Sequence, residues 1–369
     1  RLDIPKKKKK SQDSDSKDET EPVNKNTTFN FDLCGSAKLR KTISAHTDTV
    51  RSIDYSTFDD CDFLCSGSSD KTICVWDMGT SKQLSNINEY SHVIFCVKFS
   101  PYHYYYHNRS IICSASYDKT IRFVDFKSNK ECKYLTDTLE LGRYLCSGSN
   151  DESIRLWDVG TSTLLHVFNG HEDGILCVDF SPLQTNGNHK SAAVIGGNGY
   201  SICSGSWDGN IRLWDIETAK ELSVFKGHEG GINTIKYLPY ATGINGGGGS
   251  MLCSGSGDKT VRLWDIRSEN TTQVFIGHTE SVTCVDNSPF VNATIDQFGI
   301  GNANIMCSGS WDNTIRFWDI RITKQLHEIK GNDNDDGISC LKFSPFHKKR
   351  EDTFLLCYGA RRGSIRLWE

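Results

Sequence analysis

The sequence predicts an all-β fold of seven repeated blades closed into one ring, and three observations carry that prediction. One pattern recurs along the chain, from CSGSSDKTICVWD at 65–77 to CSGSWDNTIRFWD at 307–319. Its copies follow one another at a few tens of residues, the period of a propeller. Between them lie short runs of Val, Ile, Phe and Trp bounded by Gly, Asn, Asp and Ser, which is strand and turn chemistry.

The remaining copies are CSASYDKTIRFVD (113–125), CSGSNDESIRLWD (146–158), CSGSWDGNIRLWD (203–215), CSGSGDKTVRLWD (253–265) and CYGARRGSIRLWE (357–369). Gly-His pairs at 170–171, 227–228 and 277–278, and apolar runs ending in Phe-Ser-Pro at 99–101, 180–182 and 343–345, stand between copies. This fixed order of Gly-His, apolar strand, SGSxD, strand and Trp-Asp resembles the WD40 repeat family of G-protein-beta-like propellers. The resemblance covers 39–369 and implies a seven-bladed β-propeller.

Seven blades of roughly 40 to 45 residues use most of a 369-residue chain, so one domain at 34–369 follows a tail at 1–33. Blades are expected around 46–89, 90–135, 136–165, 166–222, 223–272, 273–326, and 327–369 with 39–45. The tail is polar and too poor in apolar residues to offset ordering entropy, so it is expected to be disordered. Its Pro5 and Lys6–Lys10 resemble a nuclear localisation signal, against the alternative of a solvated charge run. The chain begins with Arg1, which leaves room for its being a fragment.

Each element has its reason. Runs such as VIFCVKF, ILCVDF, INTIKYL and SVTCVDN read as innermost strands, CSGS as the second, TIRLWD as the third, and the segment before the next Gly-His as the outer strand. The last repeat stops after its third strand, so LRKTISA at 39–45 is expected to pair with it and close the ring, removing two open sheet edges. The Gly-, Asn- and Ser-rich connections at 101–110, 183–200, 241–250 and 291–304 read as flexible insertions on one rim. The third repeat is short: Val124 to Trp157 spans 33 residues, where other intervals run from 48 to 57. This blade is expected to be truncated, lacking most of its innermost strand, either natively or through a missed coding segment.

The net charge of -4 and pI near 6.3 supply no field for nucleic acid or anionic membrane. No apolar run reaches spanning length, and the lysines lack the apolar segment of a signal peptide. A cytoplasmic or nuclear protein, not secreted, is expected. Of 15 cysteines, seven recur at the second strand and four (Cys96, Cys177, Cys284, Cys340) at the innermost, so they read as small core residues. Without Cys-x-x-Cys spacing, neither a metal nor a cofactor is expected.

The resemblance implies a hydrogen-bonded tetrad of His, Ser, Asp and Trp within a blade. Four blades supply it: His46, Ser66, Asp70, Trp76; His171, Ser204, Asp208, Trp214; His228, Ser254, Asp258, Trp264; and His278, Ser308, Asp312, Trp318. Which serine of each SGS takes part is open, since both project to one side. Blade two has Tyr90 and Val124 in place of His and Trp, blade three lacks the His, and blade seven has Asn332 or Asn334 near the His position and Arg362 for the Asp. Ser, His and Asp repeated four times argue for scaffold and against catalysis, because a nucleophile is activated once, beside an oxyanion hole.

Function should therefore lie on a surface. The residue before each turn Asp is free to vary: Ser69, Tyr117, Asn150, Trp207, Gly257, Trp311 and, by position, Arg361. Aromatic and Arg side chains there are the types enriched at binding hot spots, and WD40 propellers commonly bind peptides or proteins on this face. The competing reading lays Trp207 and Trp311 over neighbouring blades as packing. Arg267 and Arg321, in LWDIR and FWDIR, also match the Trp-Asp-x-Arg motif of substrate receptors of cullin-RING ubiquitin ligases. The main expectation is a noncatalytic scaffold, a monomeric propeller within a larger complex. A subunit of a nuclear nucleic-acid or chromatin complex is the reading from another class.

Overall fold

The computed structural model describes residues 38–59, 61–80, 82–131, 144–181, 201–238, 251–287, 305–344 and 356–368. The tail at 1–33, including Lys6–Lys10, and the connections at 183–200, 241–250 and 291–304 lie outside these residues. Six antiparallel sheets have four strands each and one has three among the described residues. Blade five is representative, with strands Ile232–Leu238, Met251–Ser256, Thr260–Asp265 and Asn270–Ile276. All six residues of its second strand are buried, because each sheet is covered by neighbours on both faces and period-two alternation gives way to continuous burial.

The Gly of SGS is explained by that stacking. A Cβ on Gly67, Gly205, Gly255 or Gly359 would come within 2.7, 2.5, 2.5 or 2.7 Å of the first residue of the next blade's innermost strand, namely Ile94, Ile232, Val282 or Val50. Blade two has Ala115 at this position, and blade two faces blade three.

Blade three consists of Tyr144–Gly148, Ser153–Asp158 and Thr163–Asn169. Residues 132–143 fall outside the described residues. The second strand of this blade touches the innermost strand of blade four, Ile175–Phe180, as second strands do elsewhere. Cys96, expected in the core, is instead exposed, whereas its counterparts Cys284 and Cys340 are buried. Cys340 Sγ lies 3.4 Å from the Val50 carbonyl of the next innermost strand, and among the described residues blade three, beside Cys96, has no such strand.

Among the described residues six innermost strands line the centre, and their fifth residues alternate in sign: Asp54, Lys98, Asp179, Lys236, Asp286, Lys342. Lys98 Nζ lies 3.3 Å from Asp54, Lys342 Nζ 3.8 Å from Asp54, and Lys236 Nζ 3.8 Å from Asp179.

Leu39–Ser44 pairs antiparallel with Ser364–Trp368, with Thr42 opposite Arg366 and Ile43 opposite Ile365, so the first described strand completes the last blade. The Arg366 Nη1–H donates to Thr42 Oγ1 at 2.7 Å. Gly363 has φ +84°, and a Cβ there would meet the His46 carbonyl oxygen at 2.2 Å, so only glycine fits this seam.

Residues 101–110 are a correction. They hold a helix at Pro101–His107, with Pro at its first turn and Asn108 left-handed at its C-cap. Tyr102 and His103 are buried, and Tyr104 stacks on Phe58 at 4.3 Å while its hydroxyl donates to Asp59 at 2.7 Å. Apolar anchoring, which the Gly-poor PYHYYYH run supplies, orders the segment.

Close blade stacking has a direct test. Gly255→Ala should lower unfolding stability by about 1–3 kcal/mol through overpacking, read from denaturant midpoints. An unchanged midpoint would show that the blades do not meet this closely.

Candidate functional site

The turn before each third strand is held by a buried polar network. In blade four His171 Nδ1–H donates to Asp208 Oδ2 at 2.7 Å, the Ser204 hydroxyl contacts His171 Nε2 at 2.8 Å, and Trp214 Nε1–H donates to Ser204 Oγ at 2.8 Å. Blade five repeats this with His228, Asp258, Ser254 and Trp264 at 2.7, 2.8 and 2.8 Å. Blade six does so with His278, Asp312, Ser308 and Trp318 at 2.8, 2.8 and 2.8 Å.

The open choice of serine resolves into two roles. The first serine of SGS joins the tetrad, and the second donates to a loop carbonyl, as Ser68 to Asp48, Ser206 to Asp173, Ser256 to Gly230 and Ser310 to Glu280 at 3.0, 2.8, 2.9 and 3.0 Å. Sequence reasoning missed the threonines two residues after the Asp. Thr72, Thr260 and Thr314 donate to Oδ1 of Asp70, Asp258 and Asp312 at 2.7, 2.7 and 2.6 Å; the recurring Asp-x-Thr was the available signal.

Burial holds the imidazoles of His46, His171 and His228 below their ordinary value, even against their aspartates. Burial alone would raise the carboxyls of Asp208, Asp258 and Asp312, but hydrogen bonds from their histidines and from neighbouring donors outweigh it and hold them low. Asp70 is held low likewise, chiefly by Thr72.

Blade one departs from expectation. His46 reaches Asp70 at 3.0 Å and Ser66 at 2.8 Å, but Trp76 Nε1 has no hydrogen-bond partner. In blades four to six a glycine precedes the histidine, and a Cβ on Gly170, Gly227 or Gly277 would press on the tetrad indole at 3.0, 3.2 or 2.9 Å. Blade one carries Ala45 there, which has that Cβ.

The three divergent blades use other groups. In blade two Tyr90 replaces the imidazole, its hydroxyl hydrogen-bonded to Ser114 and its ring 4.7 Å from the Arg122 guanidinium. In blade three Trp157 still donates to Ser147 at 2.9 Å, and Asp151 pairs with Arg155 at 2.7 Å. Blade seven corrects the expectation for Asn332 and Asn334: the fully buried Asp335 stands inside, bound by Arg366 at 2.6 Å and by the Tyr358 hydroxyl at 2.8 Å. A buried ion pair there takes the place of the histidine network.

These networks fix the exposed turns. The backbone N–H of Ser69, Tyr117, Trp207, Gly257, Trp311 and Arg361 donates to the residue before the same blade's innermost strand, at 2.9, 2.9, 3.0, 2.9, 3.0 and 3.1 Å. The residue after each turn Asp is left-handed in blades one to six, as at Lys71 (φ 72°) and Lys259 (φ 71°), and Gly363 takes this place in blade seven. Six of the seven variable positions therefore sit on a backbone held at both ends; Asn150, also exposed, completes the set.

Trp207 is 53% and Trp311 43% exposed, and Tyr117 is 56% exposed, so each offers surface to solvent. The tryptophans also bridge blades. The Trp207 ring lies against the backbone of Gly231, where a Cβ would approach to 2.6 Å, and the Arg361 guanidinium lies 5.0 Å from the Trp311 ring centre. Tyr117 packs beside Phe95 and His92 of its own blade, at 6.1 and 5.9 Å. Phe95, 47% exposed, was not foreseen; it is the second residue of an innermost strand and shares this face. Arg267 and Arg321 follow the far ends of the third strands, Thr260–Asp265 and Thr314–Asp319, and so lie on the opposite face. The Arg321 guanidinium folds back onto Asp319 at 3.3 Å.

Seven radially stacked sheets, ring closure by the first described strand and repeated His-Ser-Asp-Trp networks define a WD-repeat β-propeller. The family described as "WD domain, G-beta repeat" matches residues 37–77, 81–125, 140–158, 162–215, 219–265, 269–319 and 323–369, and the chain belongs to it. Its third match is the shortest, at the truncated blade. The guanine nucleotide-binding protein subunit beta of Oryza sativa subsp. japonica is 24% identical over 54% of this chain and 53% of its own length. A CCR4-associated factor 4 homolog of Vanderwaltozyma polyspora is 27% identical over 46% and 29%, and Mitochondrial division protein 1 of Eremothecium gossypii 25% over 53% and 29%. The chain thus spans about half, or less, of the length of the curated relatives it matches.

Removing a network member should be costly. Ser254→Ala strands His228 Nε2 and Trp264 Nε1 and should destabilise by about 1–3 kcal/mol or more. Acid should act in the same direction on both partners. The low carboxyls contribute stability that is present above the ordinary value of 3.8 and lost as pH falls below it. The neutral buried imidazoles lose stability as pH falls below 6.5, because the unfolded chain takes up protons that the folded one does not. Melting temperature should therefore decline below about pH 6.5 and more steeply below about pH 4; a flat profile down to pH 3 would contradict the assignment.

Proposed function

We propose that the protein is a noncatalytic scaffold that binds a partner protein or peptide on the face bearing Trp207, Trp311, Tyr117 and Phe95. The observation that carries this reading is the combination of half-exposed aromatic rings with turns whose backbone is already fixed, so little ordering entropy remains to oppose binding. The blade-bridging contacts of the tryptophans agree with it, since they hold one side of each ring rigid and leave the other to a partner. The tetrad serines do not serve as nucleophiles: Ser204, Ser254 and Ser308 are wholly buried, with hydroxyls engaged by His and Trp.

The test is affinity purification with mass spectrometry of wild type, a Trp207→Ala/Trp311→Ala variant and, on the opposite face, an Arg267→Ala/Arg321→Ala variant. Partners should vanish with the tryptophans and persist without the arginines, with melting temperature nearly unchanged. Loss confined to the arginine variant would move the binding site to the other face.

A further inference from the structure

The aromatic face carries two arginines in one sector and glutamates in another. There its one lysine among the turn residues of blades three to five, Lys259, is taken up by Glu280 at 3.5 Å. Arg51 and Arg361 occupy neighbouring blades, which are tied where the Thr49 hydroxyl donates to the Arg361 carbonyl at 2.9 Å. Each guanidinium rests on a ring: Arg361 lies 5.0 Å from Trp311 and Arg51 5.8 Å from Phe95. Arg51 Nε–H also donates to Ser69 Oγ at 2.8 Å. Stacking and that bond hold the side chains in place while leaving N–H groups at their edges. Burial lowers the Arg51 pKa and the Arg361 charge lowers it further, against the pull of Asp48, so the two cations work against each other. Asp48 and Asp336, the latter 3.8 Å from Arg361 and exposed, stand beside the two cations.

Across the face, blades three to five present Glu152, Glu172 and Glu229, all exposed. Glu172 and Glu229 are fixed through backbone N–H bonds of 3.1 Å to Asp208 and Asp258. Among the described residues none of these three glutamates forms a salt bridge. Trp207 stands on the same arc.

We infer that the face receives one extended partner segment of segregated charge, with carboxylate side chains against Arg51 and Arg361, basic side chains against Glu172 and Glu229, and apolar side chains over the rings between. Charge complementarity would set the direction in which the segment lies, and rim charges of this kind act mainly on specificity and association rate. The inference rests on the face reading above and adds the chemistry of the partner.

Panning a phage-displayed library of random dodecapeptides against the full chain tests it. Enriched sequences should carry an acidic cluster towards one end and a basic cluster towards the other. They should bind an Arg51→Glu/Arg361→Glu variant at least about tenfold more weakly, with the Arg51→Gln/Arg361→Gln variant as the milder form should reversal disturb folding. Charge-mixed or neutral enriched sequences, no enrichment at all, or indifference to both substitutions would overturn the inference. Peptides that need Trp207 and Trp311 yet ignore the charge changes would leave the face reading standing and sink this one; peptides indifferent to the tryptophans as well would sink both.

Discussion

The hydrogen bond between a buried imidazole and the carboxylate of the turn above it is the interaction on which the rest of this propeller depends. It joins the chain entering the innermost strand to the turn between the second and third strands, as at His228 and Asp258, 2.7 Å apart. A serine and an indole then fasten the same imidazole to the sheet below. Because the imidazole and the serine are buried and the carboxylate is largely covered, each bond is strong locally and expensive to leave unmade. The exposed residue before each Asp inherits its position from this arrangement, so the binding face is rigid for the same reason that the blade is stable.

The departures show how far the arrangement can bend. Blade one, with Ala45 where blades four to six have glycine, leaves the Trp76 Nε1 unbonded, a tyrosine hydroxyl serves for the imidazole in blade two, and blade seven substitutes the Asp335–Arg366 ion pair. A buried ion pair recovers its desolvation cost only with excellent geometry and further hydrogen bonds, and Tyr358 and Thr42 provide those. Blade three is the least supported. Beside its described strands, Ala115 replaces the glycine that elsewhere admits the next innermost strand, and Cys96 is exposed.

Much of this was legible in the residues. The seven copies of one motif fixed the number of blades, and the place of LRKTISA at 39–45 just before His46, where outer strands stand in other repeats, pointed to it as the outer strand of the last blade. The tetrads of blades four to six could be named in advance because Gly-His, Ser, Asp and Trp recur at constant order. Asp335 could not, because GNDNDDG offers several polar candidates and only the loop's path selects one. The unbonded Trp76 goes with Ala45 in place of the glycine of blades four to six, and the helix at Pro101–His107 lay in packing of Tyr102 and Tyr104 that no repeat comparison reveals. The alternating charges were present in the sequence as the fifth residue of each described innermost strand, but their meaning required knowing which of those strands are neighbours.

Native-state hydrogen exchange, resolved by residue, tests most directly whether the imidazole-carboxylate network governs rigidity. Amides of the second and third strands in blades four, five and six should exchange only through global unfolding, while the corresponding amides at 113–125 and 146–158 should exchange through smaller openings. Equal protection in all blades, or earlier opening of blades four to six, would contradict the account.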